Sequence, residues 1–130
     1  GIQLSSAVFG DIKTNPRFVT RLDFAPDVLF ITVKAPHLLQ AVETVRKNLV
    51  KNSVIIPLLN GIDHIEFLRR YFGPRIVAGM IGAIEARSEK PGLVTHASPQ
   101  IPAVELASKN FPRERITAVA DILCGAGLLS

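Results

Sequence analysis

Residues 53–64 read SVIIPLLNGIDH, and this stretch decides the fold class. Its apolar run ends at Asn60 and Gly61, a pair that is typical of a hairpin turn when strands lie on both sides. The residues that follow instead repeat apolar side chains at helical spacing over 62–72. We therefore predict that Asn60 and Gly61 form a corner between a strand over 53–59 and a helix.

The segments on either side repeat the same strand and helix pattern. An almost continuous apolar run over 27–33 precedes an amphipathic helix predicted over 36–52, with Asn52 as its C-terminal cap. A third apolar strand is predicted over 75–84, and a final helix over 112–127. Continuous apolarity indicates strands buried on both faces, which is typical of parallel strands covered by helices. The sequence thus predicts an α/β fold with a parallel, doubly wound, Rossmann-like βαβαβ core.

The other segments carry weaker patterns. Residues 1–25 predict a β-hairpin whose turn lies at 14–16, where the sequence reads TNP. Residues 85–92 are predicted to be a loop, and the short apolar stretches 93–96 and 102–107 are predicted to pair with each other in antiparallel fashion.

Composition excludes several classes of function. The net charge is only +4, the basic residues are scattered, and the chain has no Trp and one Tyr. A base-stacking nucleic-acid surface is therefore not predicted. No window reaches the roughly 18 apolar residues that a membrane span needs, and no signal peptide pattern is present.

The cysteine and histidines predict neither a disulfide nor a metal site. Cys124 is the single cysteine, which fits a reducing compartment and hence the cytoplasm, and its apolar surroundings predict a buried, inert thiol. His37, His64 and His96 are widely separated and lack acidic or thiol ligands at metal spacing. His37 and His64 fall in predicted first helical turns and are expected at the surface.

Two polar side chains stand at the predicted ends of neighbouring strands. Lys34 ends the strand over 27–33, and Asn60 ends the next strand. In parallel sheets, ligands bind beyond the carboxyl ends of the strands, so an ammonium and a carboxamide there could hold a phosphate, a sugar or a keto acid. The alternatives are a solvated lysine and an asparagine that caps the following helix or tolerates a left-handed backbone.

Three motifs in this order resemble the ketopantoate reductase family, which reduces 2-dehydropantoate with NADPH in pantothenate synthesis. They are DVLFITVKA, VIIPLLNGIDH and GMIGAIEARSEKPGLVTH. The resemblance implies that Lys34 contacts the NADP cofactor near its ribose. It implies that Asn60 lies between the nicotinamide ribose and the substrate, and that the Ala86 backbone touches the cofactor.

The same resemblance implies that residues 1–130 are part of an NADP-binding domain, with a hairpin over 1–25 and the core and terminal helix over 26–130. No GxGxxG fingerprint occurs in the sequence. The nearest string, GAG at 125–127, is predicted to be a helix stop. The family's fingerprint and its C-terminal helical domain, which carries the general-acid lysine, are expected outside this chain. No catalytic residue and no turnover are therefore expected from these residues alone.

Two alternatives stay open, and one prediction concerns assembly. The chain could belong to another NADP-dependent reductase of this fold, or it could be a non-catalytic binding or regulatory module. The strand over 27–33 is predicted to expose an unpaired apolar edge, which would favour homo-oligomers.

Overall fold

The computed structural model describes residues 1–82 and 84–128. Eight strands and three α-helices occur in these residues, and short 3-10 turns precede α1 and follow α2. The elements are β1 (Ile2–Ser6), β2 (Gly10–Thr14), β3 (Val28–Ile31), α1 (Leu38–Glu43), β4 (Val54–Pro57), α2 (Asp63–Phe72), β5 (Ala78–Gly82), β6 (Ala86–Lys90), β7 (Leu93–His96), β8 (Ala103–Ala107) and α3 (Arg113–Gly125).

The predicted parallel core is present. Strands β3 and β4 pair in parallel, with Ile31 opposite Pro57 at their carboxyl ends. Strand β4 meets the segment that leads into β5 through a parallel bridge from Ile55 to Ile76, and Val77 N donates to Ile55 O at 2.9 Å. Strand β5 then pairs with β8 in antiparallel fashion. The mixed α/β class and the parallel strands predicted from the apolar runs are therefore confirmed.

Side chains from β4 enter two separate hydrophobic clusters. Ile55 packs with the buried faces of α1 and α2, including Leu68 and Phe72. Its neighbours Val54 and Ile56 point to the other face and pack with residues of α3 and β8. Because successive strand residues point to opposite faces, a strand covered on both sides must be apolar at every position. This is why the run in the sequence is continuous and not alternating.

The second sheet differs from the prediction in how its strands pair. Its order is β2-β1-β7-β6, with β1 antiparallel to β2 and parallel to β7. The N-terminal hairpin exists, but its turn lies at residues 7–9, so the turn predicted at 14–16 is wrong. The TNP signal instead lies at the end of the hairpin, and Gly10, which directly follows the actual turn, has a left-handed backbone at φ +73°.

Two further predictions are wrong at the other edge of this sheet. Residues 86–90 form strand β6 and not part of a loop. The stretches 93–96 and 102–107 do not pair with each other, since β7 pairs with β1 and β6, while β8 pairs with β5. The turn between β6 and β7 uses Gly92 at φ +80°. The signal that could have revealed this hairpin is the dipeptide PG at 91–92.

The first helix is much shorter than predicted. Helix α1 ends at Glu43, so the helix over 36–52 and its cap at Asn52 are wrong. The Thr44 hydroxyl donates to Ala41 O at 2.7 Å, and the Thr44 carbonyl accepts from Leu22 N at 3.2 Å. These contacts stabilise the helix end. Val50 is nevertheless fully buried, so the apolar spacing reflects packing in the core and not a continuous helix.

The other helices agree with their patterns. Helix α2 starts and ends within a residue of the predicted 62–72, and α3 starts one residue after and ends two residues before the limits of the predicted 112–127. Gly127 adopts φ +89° just beyond α3, as expected of a helix stop. Within the described residues, β3 pairs with β4 on one side only.

Candidate functional site

The three residues named from the sequence follow the carboxyl ends of three neighbouring strands. Lys34 lies three residues after the end of β3, and Asn60 lies three residues after the end of β4. Ala86 begins β6, the element after β5. Strands β3, β4 and the segment entering β5 run parallel, so their carboxyl ends share one edge of the sheet. Ligands of open α/β sheets bind at this edge.

Lys34 leaves the strand in an extended conformation. It has φ −70° and ψ 150° and precedes the 3-10 turn over Ala35–His37, whose His37 N donates to Lys34 O at 2.9 Å. Pro36 is tolerated there because the first turn of a helix needs no N–H donor. The Lys34 side chain is exposed, so the ammonium stands beyond the apolar strand in solvent.

Asn60 is also exposed and is followed by the residue that makes the corner. Gly61 has φ +84°, a left-handed conformation that an L side chain would strain. Helix α2 has Ile62 at its N-cap, and no side chain caps it. The asparagine therefore does not act as the helix cap, which was one of its two structural interpretations. The left-handed backbone conformation at this corner belongs to Gly61, so the second structural interpretation of Asn60 does not apply either.

A cleft of about 520 Å³ opens beside Asn60. That volume lies within the range of about 300–1,000 Å³ typical of small-molecule sites. It lies between the β4–α2 corner and the β5–β8 pair, and its lining includes Asn60, Gly61, His64, Gly79, Met80 and Glu105. The cleft thus combines an amide and a carboxylate with an apolar wall.

Ala86 presents its main chain at a sheet edge. Ala97 N donates to Glu85 O at 2.7 Å, which makes Glu85 and Ala97 a hydrogen-bonded pair of the β6–β7 ladder. In antiparallel ladders such pairs alternate with pairs whose main-chain groups point outward. Ala86, opposite His96, is the next pair, so its N–H and C=O point away from β7. Because β6 is an edge strand, these two groups are available to a ligand.

His64 is buried, contrary to the prediction that it lies at the surface. It is only 8 % exposed on the inner side of the first turn of α2. Its Nε2 atom has no hydrogen-bond partner among the described residues. Burial lowers the pKa of His64 below its usual value of 6.5, and the nearby Asp63 carboxylate opposes this effect only in part.

Stability should therefore depend on pH through His64. Because its pKa is lowered by folding, the unfolded chain binds more protons, and stability is present in full above about pH 6.5 and falls as pH decreases below it. Urea unfolding between pH 8 and pH 5 measures this. We expect His64→Gln to remove that part of the pH dependence, whereas His37→Gln, at an exposed site, should retain it. Identical profiles for the two variants would contradict the assignment.

Cys124 also differs from its prediction. The thiol is exposed on α3 and not buried. Helix α3 buries only the stripe that includes Val119 and Leu123, and Cys124 falls outside it. The apolar sequence around the cysteine had suggested burial, but the helix presents most of those residues to solvent.

No group of three or more His, Cys, Asp or Glu residues that could hold a metal occurs in residues 1–82 and 84–128. Over the same residues, the helices are too short or too polar to cross a membrane.

Sequence reasoning missed a polar network around His96. The ring is 5 % exposed and lies between Ser6 and Ser98, which are each 8 % exposed. The Ser6 hydroxyl is 2.9 Å from Nδ1, and the Ser98 hydroxyl is 3.1 Å from Nε2. No local pattern reveals this site, since Ser6 and His96 are 90 residues apart. The Phe9 ring stacks on the imidazole with centroids 5.8 Å apart.

Known proteins with a similar fold include several reductases. The structure of D-mandelate dehydrogenase with NADH and anilino(oxo)acetate superposes with a TM-score of 0.83 at 22 % identity, covering 99 % of this chain and 42 % of that one. The 2-dehydropantoate 2-reductase of Methylococcus capsulatus gives 0.77 at 21 % identity, covering 99 % of this chain and 43 % of that one. At these identities the similarity establishes the fold.

Sequence comparison identifies the family. An uncharacterized oxidoreductase of Bacillus subtilis (strain 168), YkpB, is 31 % identical over 117 residues, which are 89 % of this chain and 39 % of that protein. This chain therefore spans about two fifths of the length of that relative. The family profile described as ketopantoate reductase PanE/ApbA matches residues 1–108. The chain thus belongs to the ketopantoate reductase PanE/ApbA family of oxidoreductases.

Proposed function

We propose that the protein containing this chain reduces 2-dehydropantoate with NADPH in pantothenate biosynthesis, and that this chain forms part of its nucleotide-binding domain. The observation that carries the proposal is the common strand edge at which Lys34, Asn60 and Ala86 follow three neighbouring strands. Membership of the ketopantoate reductase family supports the same activity.

Each of the three residues has a chemical role in this proposal. The exposed Lys34 ammonium donates to the ribose hydroxyls or a phosphate of the nucleotide. The Asn60 carboxamide offers both donors and an acceptor, and it orients the nicotinamide ribose on one side and the keto acid on the other. The outward N–H and C=O of Ala86 bind along the nucleotide.

The residues present fit a nicotinamide nucleotide. A cation suits its phosphates, and the amide and the exposed main-chain edge suit its neutral polar groups. The chain's net charge of +4 also favours an anionic ligand. When bound, a reduced nicotinamide nucleotide supplies the hydride, while the protein supplies binding and orientation.

Loss of the Lys34 ammonium should weaken nucleotide binding. We expect Lys34→Ala to raise the dissociation constant for NADPH about tenfold, the typical effect of losing one charge-assisted hydrogen bond. Fluorescence titration of NADPH measures this. Lys51→Ala is the matched control, because Lys51 is also exposed but precedes β4, at the opposite end of the strand. Equal effects of the two substitutions would indicate a general charge effect and no site at Lys34.

Turnover distinguishes the proposed substrate from others. NADPH oxidation at 340 nm with 2-dehydropantoate should be faster than with other 2-keto acids when the full-length protein is assayed. Absence of turnover with every 2-keto acid, together with absence of nucleotide binding, would favour the non-catalytic binding or regulatory module.

A second candidate is reduction of a different 2-keto acid with NADH. The observation that motivates it is that D-mandelate dehydrogenase, solved with NADH, shares this fold with a TM-score of 0.83. Phenylglyoxylate, the keto acid that corresponds to mandelate, and NADH are therefore included in the same assay. Preference for this pair over 2-dehydropantoate and NADPH would replace the first proposal.

Two further parts of the proposal concern setting and assembly. The presence of a single cysteine fits the reducing cytoplasm. The free side of β3, where Phe30 is 39 % exposed, offers an edge for pairing with a second copy. Homo-oligomerisation through this edge stays a prediction.

A further inference from the structure

We propose that His96 is a positioning residue that holds the ligand-binding edge of Ala86 in place through Ser98. The inference rests on the proposed function, in which the Ala86 main chain contacts the nucleotide. The structural basis is a buried relay of three side chains, Ser6, His96 and Ser98, which joins the ends of β1 and β7 to the start of β6.

Hydrogen-bond accounting assigns the protons of this relay. The Ser6 hydroxyl oxygen accepts from Val8 N and Phe9 N, both at 3.1 Å. A hydroxyl has two lone pairs and one hydrogen, so the Ser6 hydrogen is left to donate to Nδ1 of His96. Nδ1 is then an acceptor, and Nε2 carries the ring proton. His96 therefore donates from Nε2 to the Ser98 hydroxyl oxygen at 3.1 Å.

The Ser98 hydroxyl, held by His96, in turn binds the main chain of Glu85, the residue before Ala86. The hydroxyl oxygen accepts from Glu85 N at 2.5 Å, and the adjacent Ala97 N donates to Glu85 O at 2.7 Å. Both main-chain groups of Glu85 are thus held toward the β7 side. Because main-chain groups alternate in direction along a strand, those of Ala86 must point to the open side.

The side-chain bond matters because it lies at the end of an edge strand. All five residues of β6 are exposed, so little burial holds the strand in register. A main-chain donor at such an end can exchange its partner for water at small cost. The buried hydroxyl of Ser98, itself fixed by His96, keeps the Glu85 N–H in one direction. The outward groups of Ala86 are thereby preorganised for a ligand.

The first test reads the relay directly. Long-range ¹H–¹⁵N NMR of the His96 ring should show a proton on Nε2 and none on Nδ1. In Ser98→Ala, hydrogen exchange of the Glu85 amide should accelerate about tenfold, and the Ala86 amide signal should shift. Ser88→Ala is the matched control, because Ser88 is exposed on the same strand. A proton on Nδ1, or an unchanged Glu85 amide in Ser98→Ala, would overturn the proposal.

The second test reads nucleotide binding. We expect Ser98→Ala to raise the NADPH dissociation constant about fivefold to tenfold. Ser98→Thr keeps the hydroxyl and should keep the dissociation constant of the unsubstituted protein. Ser88→Ala should leave the dissociation constant unchanged. Equal affinities for Ser98→Ala and Ser88→Ala would also overturn the inference. If the unsubstituted protein binds no nicotinamide nucleotide, the proposed function fails. The NMR results then decide alone whether His96 holds this edge.

Discussion

Alanine at position 72 should lower the free energy of unfolding by about 3–5 kcal/mol, the usual cost of removing a buried phenylalanine side chain. Phe72 is 2 % exposed and belongs to the cluster that joins α1 and α2 to Ile55 of β4. Its ring also contacts Tyr71 edge-on, with centroids 4.8 Å apart. The substitution leaves a cavity between helix and sheet, which urea titration at neutral pH measures.

Phe67→Ala is the matched control for this experiment. Phe67 lies on the same helix, but it is 36 % exposed and stacks on Tyr71 with centroids 6.2 Å apart. We expect it to cost markedly less than Phe72→Ala because less apolar surface is withdrawn from water. Similar losses for the two variants would contradict the burial of Phe72 between α2 and the sheet.

Alanine at position 79 should lower the free energy of unfolding by about 3 kcal/mol through overpacking. A Cβ atom on Gly79 would lie 2.7 Å from Ile56 Cγ2, 2.8 Å from Leu58 Cδ2 and 3.0 Å from Pro57 O. The carbonyl belongs to the backbone of the adjacent strand, so it cannot rotate away. Strands β4 and β5 would have to separate, and thermal unfolding reports the loss.

Gly82→Ala provides the control within the same strand. Among the described residues, a Cβ atom there meets no atom within 4 Å. We expect the stability of this variant to stay close to that of the unsubstituted chain. A loss as large as that of Gly79→Ala would mean that strand flexibility, and not the close approach of the two strands, explains the effect.

The Gly79 substitution should also affect ligand binding at the proposed site. Gly79 contacts the last residues of β4, just before the corner at Asn60, and both glycine and asparagine line the same cleft. Displacement of Leu58 would move the Asn60 carboxamide. We therefore expect Gly79→Ala to weaken NADPH binding at temperatures where the variant is still folded, whereas Gly82→Ala should not.

The central strands could be predicted because their own residues are apolar at every position, which indicates burial on both faces. Strand β4 contributes side chains to the clusters on both faces, so every position from Val54 to Pro57 is buried. A run of this kind needs no knowledge of a partner to be recognised. Lys34 and Asn60 could be recognised because each is a polar residue that directly follows such an apolar run. Their positions beyond the strand ends follow from the alternation of strands and helices along the chain.

Strand β6 and helix α1 could not be predicted in the same way. The residues of β6 are exposed on both faces and show no alternation, so only pairing with β7 makes them a strand. Helix α1 ends early although the apolar spacing continues, and one of the contacts at its end comes from Leu22, far away in the chain. For α1 the deciding partner is distant in sequence, whereas for β6 it is the next strand, β7, and only the dipeptide PG at 91–92 signals that hairpin.

By itself, therefore, the sequence determined the α/β class, the parallel core strands, helices α2 and α3, and the candidate residues at the strand ends. Only the tertiary structure decided the pairing of the second sheet, the burial of His64, the exposure of Cys124 and the relay of Ser6, His96 and Ser98. The physical reason is that apolar periodicity encodes how much of an element is buried. It does not encode which distant donor or acceptor a polar group will meet.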